Sequence, residues 1–140
     1  MAKDNKLLWF KIVAWFGAIY HIILGLIGTF APNNIVISVA EATYRVAITS
    51  SSQFFYLAKF LSAYMIAFGF MLALLAYNPK KFRIFIWPAV ALFAIRIFDR
   101  LAFFKLLNEA FGSTMGSNLI TVSVAAIMGL LLILLRPAEK

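Results

Sequence analysis

Arg96, Asp99 and Arg100 lie in the stretch RIFDRLAFFK and, spaced i, i+3 and i+4, share one face of any helix that contains them. Arginine presents a planar fork of donors suited to carboxylates and phosphates. Asp99 can neutralise one of the two guanidiniums directly, which leaves an excess positive charge. If that pair is buried, losing Asp99 should cost about 3–5 kcal/mol. His21 is the one histidine of the chain, so a bis-histidine haem site within it is excluded; His21 as a single axial ligand to haem or chlorophyll stays open. With no cysteine, no HExxH spacing and no GxSxG elbow, thiol chemistry, a clustered catalytic metal and acyl transfer lack the residues they need. The chain is therefore read as non-enzymatic, with no resident cofactor required and a lipid or quinone as the candidate ligand.

These polar residues belong to a chain that is 64% hydrophobic and 13% charged, with a mean hydropathy of +0.96. That is the composition of a multi-pass protein of the cell membrane. About 20 apolar residues cross a core of about 30 Å, so the 140 residues accommodate about four spans and no soluble domain. A net charge of +8 would suggest nucleic acid in a soluble protein, but here the positive residues flank apolar runs and no nucleic acid is expected.

The pattern predicts an all-α, four-helix membrane bundle forming a single domain over 1–140, with spans at about 7–30, 54–77, 83–104 and 119–135. The first run is too long for a signal-peptide core and lacks a small-residue cleavage site, so it is read as a retained helix. Between the first two spans, IVISVAEATYRVAI reads as a short interfacial helix with Glu41 and Arg45 as a favourable i,i+4 pair. Pro88 falls in the first turns of the third span, where it is tolerated, and KLLNEAFGSTMGSN, with Gly112, Gly116 and Asn118, reads as a turn. Lys3, Lys6, Lys11, Lys80, Lys81, Arg83, Arg136 and Lys140 gather on one side, together with Trp9, Trp15, Tyr77 and Trp87. This asymmetry places both termini in the cytoplasm, as in a bacterial inner-membrane protein.

At 1.5 Å per residue, Arg96 lies roughly 20 Å above Arg83, and His21 about 21 Å above Leu7. The same count puts Tyr64 at about 20 Å and Lys59 at about 27 Å, with Thr121 and Ser123 at the level of Arg96. Every span thus supplies a polar group to one layer. Gly17, His21, Gly25 and Gly28 form a stripe of mostly small residues, which marks close helix packing and turns His21 toward protein. Three readings follow for His21, Lys59, Tyr64, Arg96, Asp99 and Arg100. They form a structural clamp, or an outward-opening positive pocket for an anionic amphiphile with a wall from Phe60, Phe68, Phe98, Phe103 and Phe104, or an interface to another subunit.

YHIILGLIGTFAP closing the first span, RIFDRLAFFKLLNEAFG closing the third and LLLILLRP closing the fourth resemble small bacterial four-helix membrane proteins described as DoxX-like or BphX-like. The resemblance implies a bundle with its termini inside and a quinone-related or accessory role in oxidative membrane systems. It carries no catalytic residue set. The resulting expectation is a non-catalytic accessory subunit of a larger membrane complex, or a lipid- or quinone-binding scaffold, with membrane lipids and other membrane subunits or a second copy as partners. The alternative is a small oligomeric transporter or channel. A proton-coupled transporter needs an unpaired membrane carboxylate, and Asp99 beside two arginines is a poor one.

Overall fold

A computed structural model describes residues 3–137, and for Lys3 and Asp4 the backbone alone. Lys140 and the side chain of Lys3, both used to orient the chain, lie outside the described residues. The fold is all-α. Among the described residues six α-helices follow one another: α1 (Lys3–Phe30), α2 (Asn33–Tyr44), α3 (Ser52–Tyr77), α4 (Ile86–Ala102), α5 (Phe104–Phe111) and α6 (Met115–Leu134). A 3-10 turn, Arg83–Phe85, precedes α4. Three helical segments are long and apolar enough to cross a membrane: Asn5–Phe30, Ser52–Tyr77 and Met115–Leu134.

Local chemistry sets the boundaries. Pro32 lacks an N–H and disfavours helix at the preceding residue, so α1 stops at Phe30. The Pro32 carbonyl then accepts from the amides of Ile35 and Val36, each at 3.0 Å, and opens α2 at Asn33. The Asn33–Asn34 pair, which precedes the expected interfacial helix IVISVAEATYRVAI, forms its first turn. That helix ends where Arg45 turns left-handed (φ 53°). This overturns the expected Glu41–Arg45 pair: the Glu41 carboxylate instead accepts from the Ile48 amide at 3.0 Å, fastening the outgoing chain. Ser51 and Thr114 cap α3 and α6 by accepting from the amides of Phe54 (3.1 Å) and Ser117 (3.2 Å).

The third predicted span is shorter than expected. Its helix starts at Ile86, carries Pro88 in the first turn and breaks at Phe103, and the expected turn beyond it contains α5. Gly112 (φ 61°) ends α5, and α6 begins four residues earlier than expected, which takes Asn118 into the helix.

The helices pack as two pairs, α1 along α3 and α4 along α6. The pairs meet at the end that carries the termini, where Phe10, Ala14, Leu72, Leu75, Ala89 and Leu132 are almost fully excluded from solvent. Toward the opposite end residues of both pairs line a gap, and Val36, Val39 and Ala40 of α2 with Leu107 and Phe111 of α5 complete its lining as a roof. One backbone bond, from the Ala47 amide to the Phe111 carbonyl at 2.8 Å, ties the α2–α3 link to the end of α5.

Candidate ligand-binding site

The gap holds a laterally open cavity of about 680 Å³ between the two pairs. Its floor is aromatic: the rings of Phe68 and Phe93 meet edge to face at 5.7 Å between centroids, and His21 stands against both at 4.7 and 6.3 Å. Tyr20, Tyr44, Arg96, Arg100 and Thr121 supply the polar part of the wall, and Asp99 stands at the rim.

His21 is 4% exposed, as the small-residue stripe predicts, because the stripe packs on α3. A Cβ at Gly25 would stand 2.6 Å from Ile66 Cγ1 and 2.8 Å from the Ser62 carbonyl oxygen, so only glycine admits this approach. The imidazole has both nitrogens engaged. Nδ1 lies 2.7 Å from the Gly17 carbonyl oxygen, which only accepts, so Nδ1 carries the proton. Nε2 lies 3.1 Å from Arg96 Nη1, which only donates, so Nε2 presents its lone pair. The ring is the neutral Nδ1–H tautomer, and a haem or chlorophyll metal on Nε2 would have to displace Arg96.

Arg100, unlike Arg96, is held within its own helix pair. Its Nη1 donates to Asn118 Oδ1 at 3.3 Å, and Asn118 Nδ2 donates back to the Arg100 carbonyl at 3.0 Å. Asn118 is fully buried, and its two bonds lock α4 to α6. The sequence pattern offered Asn118 only as a turn residue. A polar amide in the first turns of a long apolar helix, roughly level with a cationic helix end, was the signal for it.

The expected neutralisation by Asp99 does not occur. Among the described residues the single carboxylate–cation contact within 4.0 Å is Lys105–Glu109, an exposed pair at the limit of that distance. Asp99 is exposed, while the flanking guanidiniums turn to neutral acceptors, His21 and Asn118. One helical face therefore does not suffice for an ion pair when each arginine has an acceptor on a neighbouring helix.

The remaining predicted residues divide. Lys59 lies outside the cavity and donates from Nζ to the Thr29 carbonyl at 3.0 Å, closing the end of α1. Tyr64 lines the cavity at its edge, 60% exposed, with its ring against Phe60. Thr121 lines the cavity and donates to the Ser117 carbonyl at 3.1 Å, whereas Ser123 is exposed. Of the expected aromatic wall only Phe68 contributes; Phe60, Phe98 and Phe103 point outward, each more than half exposed. Tyr20, Tyr44 and Phe93 take the missing places. Compared with protein-family models, with curated proteins and with solved structures, the chain matches none.

Proposed function

We propose that this chain is a non-catalytic, multi-pass protein of the cytoplasmic membrane that holds an amphipathic ligand between its helix pairs, with the ligand's anionic head at Arg96 and Arg100. The observation that carries the reading is that both guanidiniums line a largely apolar cavity with no carboxylate within 4.0 Å of either, among the described residues. Each guanidinium has five donors, and the bonds to His21 and Asn118 engage one on each. Cations in a low-dielectric layer require counter-charge, and an anionic head supplies it in bidentate geometry. A quinone offers only neutral carbonyl acceptors and meets that need less well.

In this reading α4 is the fourth crossing. Its 17 residues extend about 26 Å at 1.5 Å per residue, and the arginines near its end face the cavity. The basic residues Lys6, Lys11, Lys80, Lys81, Arg83 and Arg136 lie at the end that carries the termini, which supports a cytoplasmic location for that end. Single cysteines test the orientation: one at Asn78 should resist an impermeant thiol reagent in intact cells, and one at Ser51 should react. The reverse pattern rejects it. For the ligand, lipids extracted from the purified protein are compared by mass spectrometry with those from Arg100→Gln. Anionic amphiphiles should be enriched in the parent and depleted in the variant; equal content in both rejects the site.

A further inference from the structure

Resting on that anion-binding reading, we infer that the occupant is a single-chain amphiphile with a carboxylate or phosphate-monoester head, and not a two-chain phospholipid. Size is the first ground. At about 30 Å³ per water-sized group, the cavity of about 680 Å³ takes roughly twenty such groups, which is one long chain with its head. A two-chain lipid, with roughly twice as many groups, does not fit within it whole.

Enclosure is the second ground. The Phe68–Phe93–His21 floor closes the cavity toward the packed end, and α2 and α5 close the other. Leu24 and Ile27 of α1 and Met65 of α3 give a chain apolar walls below that roof, and Val36 and Val39 of α2 line its underside. The ways in are lateral: Leu61 and Tyr64 of α3 and Asp99 of α4 line the cavity yet are exposed where α3 and α4 barely touch, and Phe16 of α1 and Val124 of α6 do so on the other side. A second chain passing out through either gap would leave the walls.

Charge is the third ground. Two guanidiniums less one carboxylate at the rim leave a net positive wall, which favours a head that is anionic throughout. A zwitterionic head would bring its own cation up to Arg96 and Arg100.

The test uses the whole protein in phosphatidylcholine nanodiscs, titrated separately with oleate, oleyl phosphate, oleyl alcohol and dioleoyl phosphatidic acid. The readouts are native mass spectrometry and the thermal midpoint. At least one single-chain anion should be retained, one per chain, and raise the midpoint; the tighter of the two identifies the head. Loss of charge-assisted bonds should weaken oleyl alcohol about 10- to 100-fold. Phosphatidic acid should also bind at least about tenfold more weakly than the preferred single-chain anion. Phosphatidic acid binding as tightly would overturn the single-chain assignment and leave the anion site standing. Alcohol binding as tightly as the anions, or no binding of any probe, would end both. Ala40→Phe, on the α2 roof and in none of the hydrogen bonds of Arg96 or Arg100, adds a ring to the cavity lining where the chain should lie. It should keep the midpoint of the ligand-stripped protein and lower affinity for the preferred anion about tenfold or more; unchanged affinity in a stable variant would also overturn the inference.

Discussion

The two helix seams hold by different means. Along α1/α3 the backbones approach because Gly25, Gly28 and Gly69 carry no Cβ: at Gly69 one would meet Ile22 Cγ1 at 2.6 Å and the Ala18 carbonyl at 3.0 Å. The buried and half-buried polar side chains there turn back on their own helices, Ser62 to the Ala58 carbonyl and Thr29 to that of Gly25, and the Lys59–Thr29 bond crosses only at the exposed end. Along α4/α6 the glycine matters little, since a Cβ at Gly129 would meet Phe93 Cβ at an ordinary 3.5 Å, and adhesion rests on Arg100 and Asn118. In the proposed membrane setting, where apolar burial gives little drive between helices, close packing and interhelical hydrogen bonds are the two available forces. A seam built on shape is chemically inert. A seam built on a charged bond puts a cation on the cavity wall, so Arg100 serves both the fold and the proposed site.

Breaking the shape-built seam should have the largest effect. Gly25→Leu inserts a side chain against the Ser62 and Ile66 backbone and should cost about 3 kcal/mol or more, read as a lowered midpoint in detergent unfolding. Gly116→Ala is the control: nothing lies within 4 Å of that position, and the change should stabilise by about 0.5–1 kcal/mol. On the other seam, Asn118→Leu strands the half-buried Arg100 guanidinium and leaves its carbonyl without the Asn118 donor, and should cost about 2 kcal/mol. Adding Arg100→Met should recover much of this, because both polar partners are then gone. A double mutant no better than the single would show that the seam does not depend on that pair. Lys59→Ala removes an exposed bond to the end of α1 and should cost about 0.5–1 kcal/mol in the same assay. Asp99→Asn should fall within about 0.5 kcal/mol of the parent, far from the loss that an ion pair would require. A loss of several kcal/mol there would restore the ion pair and weaken the proposed site.

Periodicity made the long helices and the α1 stripe legible, because an apolar run and small residues at i, i+4, i+8 and i+11 have few other uses. The depth count likewise brought His21 and Arg96 to one level. It fixes height along a helix but not direction across it, so Lys59 and Tyr64 passed the count while facing the rim or outside. Asp99 was misjudged for a related reason: spacing along one helix is visible in sequence, whereas the acceptors that draw Arg96 and Arg100 away are on α1 and α6. The α5 helix was hidden because its eight residues hold two charges and an asparagine beside turn signals, too little to outweigh the glycines that follow.

The Ala47–Phe111 bond has an experimental consequence. The roof is assembled from segments far apart in sequence, and one amide spans their junction. An amide in such a place exchanges with heavy water only when its partner moves away. Deuterium uptake at Ala47, followed residue by residue, therefore clocks how often the two halves of the roof part, with no labelled ligand or engineered probe. An occupant that bridges the walls beneath should slow that clock.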